Sequence, residues 1–88
     1  MHKVDKIQPD IVRALQSVGA TVVDLSAVGN GCPDIAVGIF GRNYFMEIKD
    51  PETGRMTGDQ IVWHDRWKGQ KCVVKSVDEA LRIVGVNV

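Results

Sequence analysis

Hydrophobic and polar positions along the chain switch between the helical and the extended period. Val4, Ile7, Ile11, Leu15 and Val18 recur every three or four residues, the stripe of an amphipathic helix that Gly19 closes. Pro9 is comfortable in the first turn of a helix and disruptive in its interior, which makes Gln8 the candidate N-cap. Ala20 to Leu25 is a short β-branched run followed by the loop chemistry of Gly29-Asn30-Gly31-Cys32-Pro33. Asp34–Phe40 and Asn43–Lys49 read as the two arms of a hairpin turning at Gly41-Arg42, with Pro51 ending the second arm. Thr57-Gly58-Asp59-Gln60 has the capping-box spacing and opens a second helix that runs to Lys68, before Gly69. Lys71–Lys75 forms a last strand, and Ser76 caps a third helix carrying Ala80, Leu81 and Val84. The predicted order is α-β-β-β-α-β-α, an α/β fold with a mixed sheet flanked by helices.

With 88 residues, 44% hydrophobic and 25% charged, the chain fits a single folded domain spanning 1–88. A core of that size leaves a thin stability margin, so a homodimer is expected. The longest apolar stretch, Ile35 to Phe40, is six residues long, far short of the roughly 20 of a membrane span. The charged start, Met1 to Lys6, lacks the apolar segment of a secretory signal, and the expected location is the cytoplasm. Cys32 and Cys72 have no partners at zinc-site spacing and are expected to be reduced thiols outside any site. Eleven Lys and Arg balance eleven Asp and Glu, so any grip on nucleic acid must come from local clusters rather than bulk charge.

The hairpin brings the candidate chemistry together. Pairing Phe40 with Asn43 sets Asp34 opposite Lys49 and Ala36 opposite Glu47, all on one face. Asp34 and Glu47 are then diagonal neighbours, their Cα atoms about 7–8 Å apart, near enough for two carboxylates to hold one hard cation. Ile35, Val37, Tyr44, Met46 and Ile48 fill the opposite face. The plainer alternative is an exposed face of ordinary ion pairs.

Pro33-Asp34, twelve intervening residues and then Glu47-Ile48-Lys49 resemble the motif of the PD-(D/E)XK nucleases. The chain is similar over nearly its full length to the small VRR-NUC domains of phages and bacteria. That similarity runs from Ile11-Val12-Arg13-Ala14-Leu15 through Gly31-Cys32-Pro33-Asp34 and Tyr44-Phe45-Met46-Glu47-Ile48-Lys49-Asp50 to Gln60 and Trp63-His64. The resemblance implies a metal-dependent DNA endonuclease of bacterial or phage-infected cells, acting on branched DNA such as four-way (Holliday) junctions. Its implied ligands for Mg²⁺ or Mn²⁺ are Asp34, Glu47 and the backbone carbonyl of Ile48, and its implied catalytic set is Asp34, Glu47, Lys49 and Gln60. These roles agree with the chemistry: a hard cation takes oxygen ligands and keeps waters, and an ammonium steadies charge growing on a phosphate.

Gln60 also has a purely local reading, as the N3 residue of the capping box. Trp63 and Trp67 are expected in the core rather than stacked on bases, and His64 in a surface or half-buried structural role. The sequence departs from the resembled pattern at Gln8, the helix-one position where many relatives carry a Glu ligand; Asp5 and Asp10 lie nearby. An amide oxygen can coordinate but brings no charge. Lys3, Lys6, Arg42, Arg55, Arg66 and Lys68 are candidate DNA contacts, and the Gly29-Asn30-Gly31 loop is a candidate phosphate cradle. Two alternatives stay open: a catalytically silent DNA-binding module of the same fold, and a small interaction domain.

Overall fold

A computed structural model describes residues 6–88. Its elements are α1 (Gln8–Ser17), β1 (Thr21–Asp24), β2 (Ile35–Ile39), β3 (Arg42–Ile48), α2 (Gly58–Arg66), β4 (Lys71–Val74) and α3 (Val77–Ile83), in the predicted order. The N-cap of α1 is Ile7 rather than Gln8, because Pro9, which has no N–H to leave unpaired, is accommodated at the first turn. The predicted start at Val4 lies outside the described residues. Both later helices open as expected. Thr57 and Gln60 complete a reciprocal capping box, and the Ser76 side chain accepts from the Glu79 amide.

The four strands lie in the order β1-β2-β3-β4, with the first two pairings antiparallel and β3-β4 parallel. The alternation expected for β2 holds, with Ile35, Val37 and Ile39 buried between less buried neighbours. Tyr44, Met46 and Ile48 of β3 share their face. That face meets Ile11 and Leu15 of α1 and Ala80 of α3 in one apolar cluster, into which Val74 and Val84 also pack. Helix α2 lies against the other face, where Trp63 and Trp67 set their rings edge-on to Phe45.

The hairpin register differs from the expected one by two residues. Ile39 pairs with Arg42 and Ile35 with Met46, so the turn is Phe40-Gly41. Both turn residues have positive φ, 52° and 74°, as a two-residue turn matched to the twist of the strands requires. Gly41 reaches that conformation without steric cost while Phe40 takes it as a large side chain, so the turn chemistry of Phe40-Gly41 is no more legible in the sequence than that of Gly41-Arg42. A two-residue slip leaves every side chain on its predicted face, which is why the apolar pattern could not distinguish the registers.

Candidate active site

The slip changes which residues meet. Continuing the pairing by one step beyond Ile35–Met46 sets Asp34 across from Glu47 instead of diagonal to it. Asp34 is fixed at both ends: its backbone carbonyl accepts from the Leu25 amide at 2.8 Å, and its carboxylate Oδ2 accepts from the Ile48 amide at 2.7 Å. The ladder between β2 and β3 ends there, so the side chain supplies the acceptor that a longer strand would have supplied.

Glu47 is 1% exposed, an exceptional state for an acid. Its Oε2 accepts from Gln60 Nε2 at 3.1 Å and lies 3.5 Å from Lys49 Nζ. Its Oε1 is equally buried and accepts no hydrogen bond. Burial, reinforced by the adjoining Asp34 carboxyl and only partly offset by Lys49, pushes the Glu47 acid up to about 8.

Gln60 caps α2 and also contacts Glu47. Its Oε1 accepts from the Thr57 amide at 2.9 Å while its Nε2 donates to Glu47. The two ends are not interchangeable, because only the oxygen can face an N–H and only the NH₂ can face a carboxylate. Capping the helix therefore also orients the amide toward the acid.

These groups line an open cleft of about 680 Å³ together with Ile48, Lys6 and Arg55. The Ile48 side chain is in the core, so its contribution to the cleft wall comes with the backbone of β3. Behind Lys49, Asp50 Oδ1 accepts from the amides of Glu52 and Thr53, and these bonds hold the Asp50 carboxyl below the usual range. The Gly29-Asn30-Gly31 loop forms another wall. Gly31 has φ +80°, and a Cβ there would come within 2.2 Å of the Asp59 carbonyl oxygen, so the loop backbone touches the first turn of α2. The loop thus seats the helix that carries Gln60.

Other expected residues sit elsewhere. Gln8 is 4% exposed at the start of α1, its Oε1 accepts no hydrogen bond, and it does not line the cleft. Asp10 is exposed and pairs with Arg13; Asp5 and Lys3 lie outside the described residues. Arg42 is at the hairpin turn, Lys68 lies exposed beyond α2, and Arg66 lines a separate pocket. Both cysteines are free thiols, with Cys32 in the cleft wall. The core placement expected for the tryptophans is corrected: no residue of α2 is fully buried, and Trp67 is 38% exposed. His64 is half-buried with its ring against Trp63. Sequence reasoning missed the seating contact of Gly31 and the platform role of Phe45, whose only signal was an aromatic on the polar face of β3.

The donor set fits a hard divalent cation. A buried carboxylate oxygen without a donor, next to a second carboxylate, is costly unless a cation completes it. Among the described residues no group of three or more His, Cys, Asp and Glu side chains converges. Two carboxylates supplemented by a main-chain carbonyl and solvent suit Mg²⁺ or Mn²⁺, not a closed zinc site.

No protein-family model matches the chain, and no curated protein does. Among solved structures, a VRR_NUC domain superposes on 90% of this chain and 90% of its own length, with a TM-score of 0.74 and 25% sequence identity. The mixed four-stranded sheet, its flanking helices and their order coincide with that fold, and the chain accordingly has the fold of the VRR-NUC domains that its motifs resemble.

Proposed function

We propose that this is a nuclease-type domain that hydrolyses phosphodiester bonds of DNA with the help of Mg²⁺ or Mn²⁺. The observation that carries the reading is the buried Glu47 carboxyl, set across from Asp34 at the cleft and left with one oxygen that accepts no hydrogen bond. Asp34, Glu47 and the Ile48 carbonyl are the groups that would hold the ion. When bound, it supplies a Lewis acid that polarises the phosphate and makes water a competent nucleophile at neutral pH. Lys49, only 15% exposed, keeps an ammonium beside the acids, where it orients the attacking water and stabilises the charge that develops on the phosphate. Gln60 occupies Glu47 Oε2 and so leaves Oε1 as the oxygen available to an ion. Lys6 and Arg55 at the cleft are suited to neighbouring phosphates.

Branched DNA and a homodimer belong to the same proposal, since two sites related by a two-fold axis suit paired incisions. The test is cleavage of labelled linear, flap and four-way-junction DNA with Mg²⁺ or Mn²⁺. Cutting that stops with EDTA and with Glu47→Ala, and falls about 10²–10³-fold in Lys49→Ala, supports it. A second reading, a silent DNA-binding module, is favoured by Gln8, which brings a neutral amide at the helix-one position and stays out of the cleft. Wild-type protein that binds all three DNAs and cuts none would establish that reading instead.

A further inference from the structure

A smaller pocket of about 260 Å³ lies beside the cleft, lined by Asn30, Asp59, Val62, Trp63, Arg66 and Trp67. Asn30 and Asp59 also line the cleft, so the two hollows meet across the contact between the Gly31 loop and α2. The aromatic wall is already ordered. Trp63 and Trp67 stack at 4.9 Å with their planes 11° apart, and Phe45 braces both edge-on at 5.5 and 4.8 Å. The wall nevertheless keeps apolar surface open, with Trp67 38% and Val62 49% exposed. The volume exceeds the roughly 150 Å³ of a cavity that accepts benzene.

We infer that this pocket receives an unpaired base of the DNA strand whose backbone lies in the adjoining cleft, an inference that rests on the proposed action on DNA. Each wall matches one part of a nucleotide. The indoles offer a stacking surface that needs no further ordering, so binding there sacrifices little side-chain freedom. Asn30 presents a donor and an acceptor and Asp59 an acceptor, the groups that read the edge of a base. Arg66 supplies a cation for the attached phosphate. A base inside a duplex has both faces stacked and its pairing edge engaged, so only a nucleotide outside the duplex can enter. The pocket therefore selects flaps, gaps and the open centres of junctions over continuous duplex.

The chain contains two tryptophans and both are in this wall, so intrinsic fluorescence reports on it directly. The probes are oligothymidylate, a flap duplex and a blunt duplex, titrated without divalent metal so that nothing is cut. Oligothymidylate and the flap should quench the emission, and the blunt duplex should not. Val62→Glu, at an exposed position where folding is not at stake, should weaken oligothymidylate binding by about tenfold or more, and Trp67→Phe by less. Oligothymidylate that binds by anisotropy without quenching, or that binds Val62→Glu as well as wild type, would overturn the inference, as would equal quenching by blunt duplex. Quenching by a protein that cuts nothing would keep the pocket and remove the nuclease reading. Metal-dependent cutting without quenching would do the reverse.

Discussion

Met46 and Glu47 are consecutive on β3, both essentially inaccessible to solvent, and they were buried for opposite reasons. Met46 points into the cluster formed by β2, β3, α1 and α3, where many interchangeable contacts each contribute a little dispersion and transfer free energy. Glu47 points to the other face, where three polar neighbours surround a group that water would solvate better. One face is stabilised by amount of burial. The other holds a few directional contacts at the expense of stability, the usual signature of a site built for a ligand.

Substitutions should split along that line. The largest effect is expected from Met46→Ala, which removes a fully buried side chain and should lower the unfolding free energy by about 2–5 kcal/mol in urea titrations. That is a large share of the roughly 5–10 kcal/mol expected for a domain of this size, and the proposed cleavage should fall only as far as the folded fraction does. Gly31→Ala comes next. It places a methyl group against the Asp59 carbonyl at a positive φ, and should cost about 1–3 kcal/mol while loosening α2. Hydrogen exchange at the first turn of α2 should then rise more than in the core, and an unchanged pattern would break the link between loop and helix.

Glu47→Gln should move the other way. An uncharged isostere keeps an acceptor for Gln60 and removes a buried acid, so the metal-free protein should gain on the order of 1–2 kcal/mol while Mg²⁺ or Mn²⁺ no longer raises Tm. A destabilised metal-free variant would show that the acid is held for structure. The smallest effect is expected at His64. Burial and the Lys71 charge hold its pKa below the ordinary 6.5, so the unfolded chain takes up the proton first on acidification. Stability should be unaffected by this group well above that value and fall as pH drops below it, and His64→Gln should flatten the slope below about pH 6.5 in thermal melts.

Much of this organisation was legible before any coordinates. The helical stripe containing Ile11 and Leu15, the alternation of Ile35, Val37 and Ile39, and the Thr57–Gln60 capping box are local patterns, and each appeared where it was read. Asp34, Glu47 and Lys49 were singled out from the spacing of the hairpin and Gln60 from the family resemblance, and the four share one cleft. The hairpin register was not legible, because a slip by two preserves the faces and either register places Gly41 and one large side chain in the turn. The tryptophans were misplaced for a related reason. An aromatic in an amphipathic helix reads as core unless it is known which face of which sheet the helix meets.

The chain's own chemistry thus determined the elements, their order and the identity of the polar groups interrupting an apolar hairpin, since period, capping and turn preferences act over a few residues. Only the tertiary structure decided that Asp34 faces Glu47 directly, that one amide caps α2 and contacts an acid, that Gln8 is buried at the start of α1, and that Trp63 and Trp67 line a second hollow. Those outcomes depend on how distant segments are seated, down to a glycine whose missing side chain lets a loop touch a helix turn, and no local pattern carries that distance.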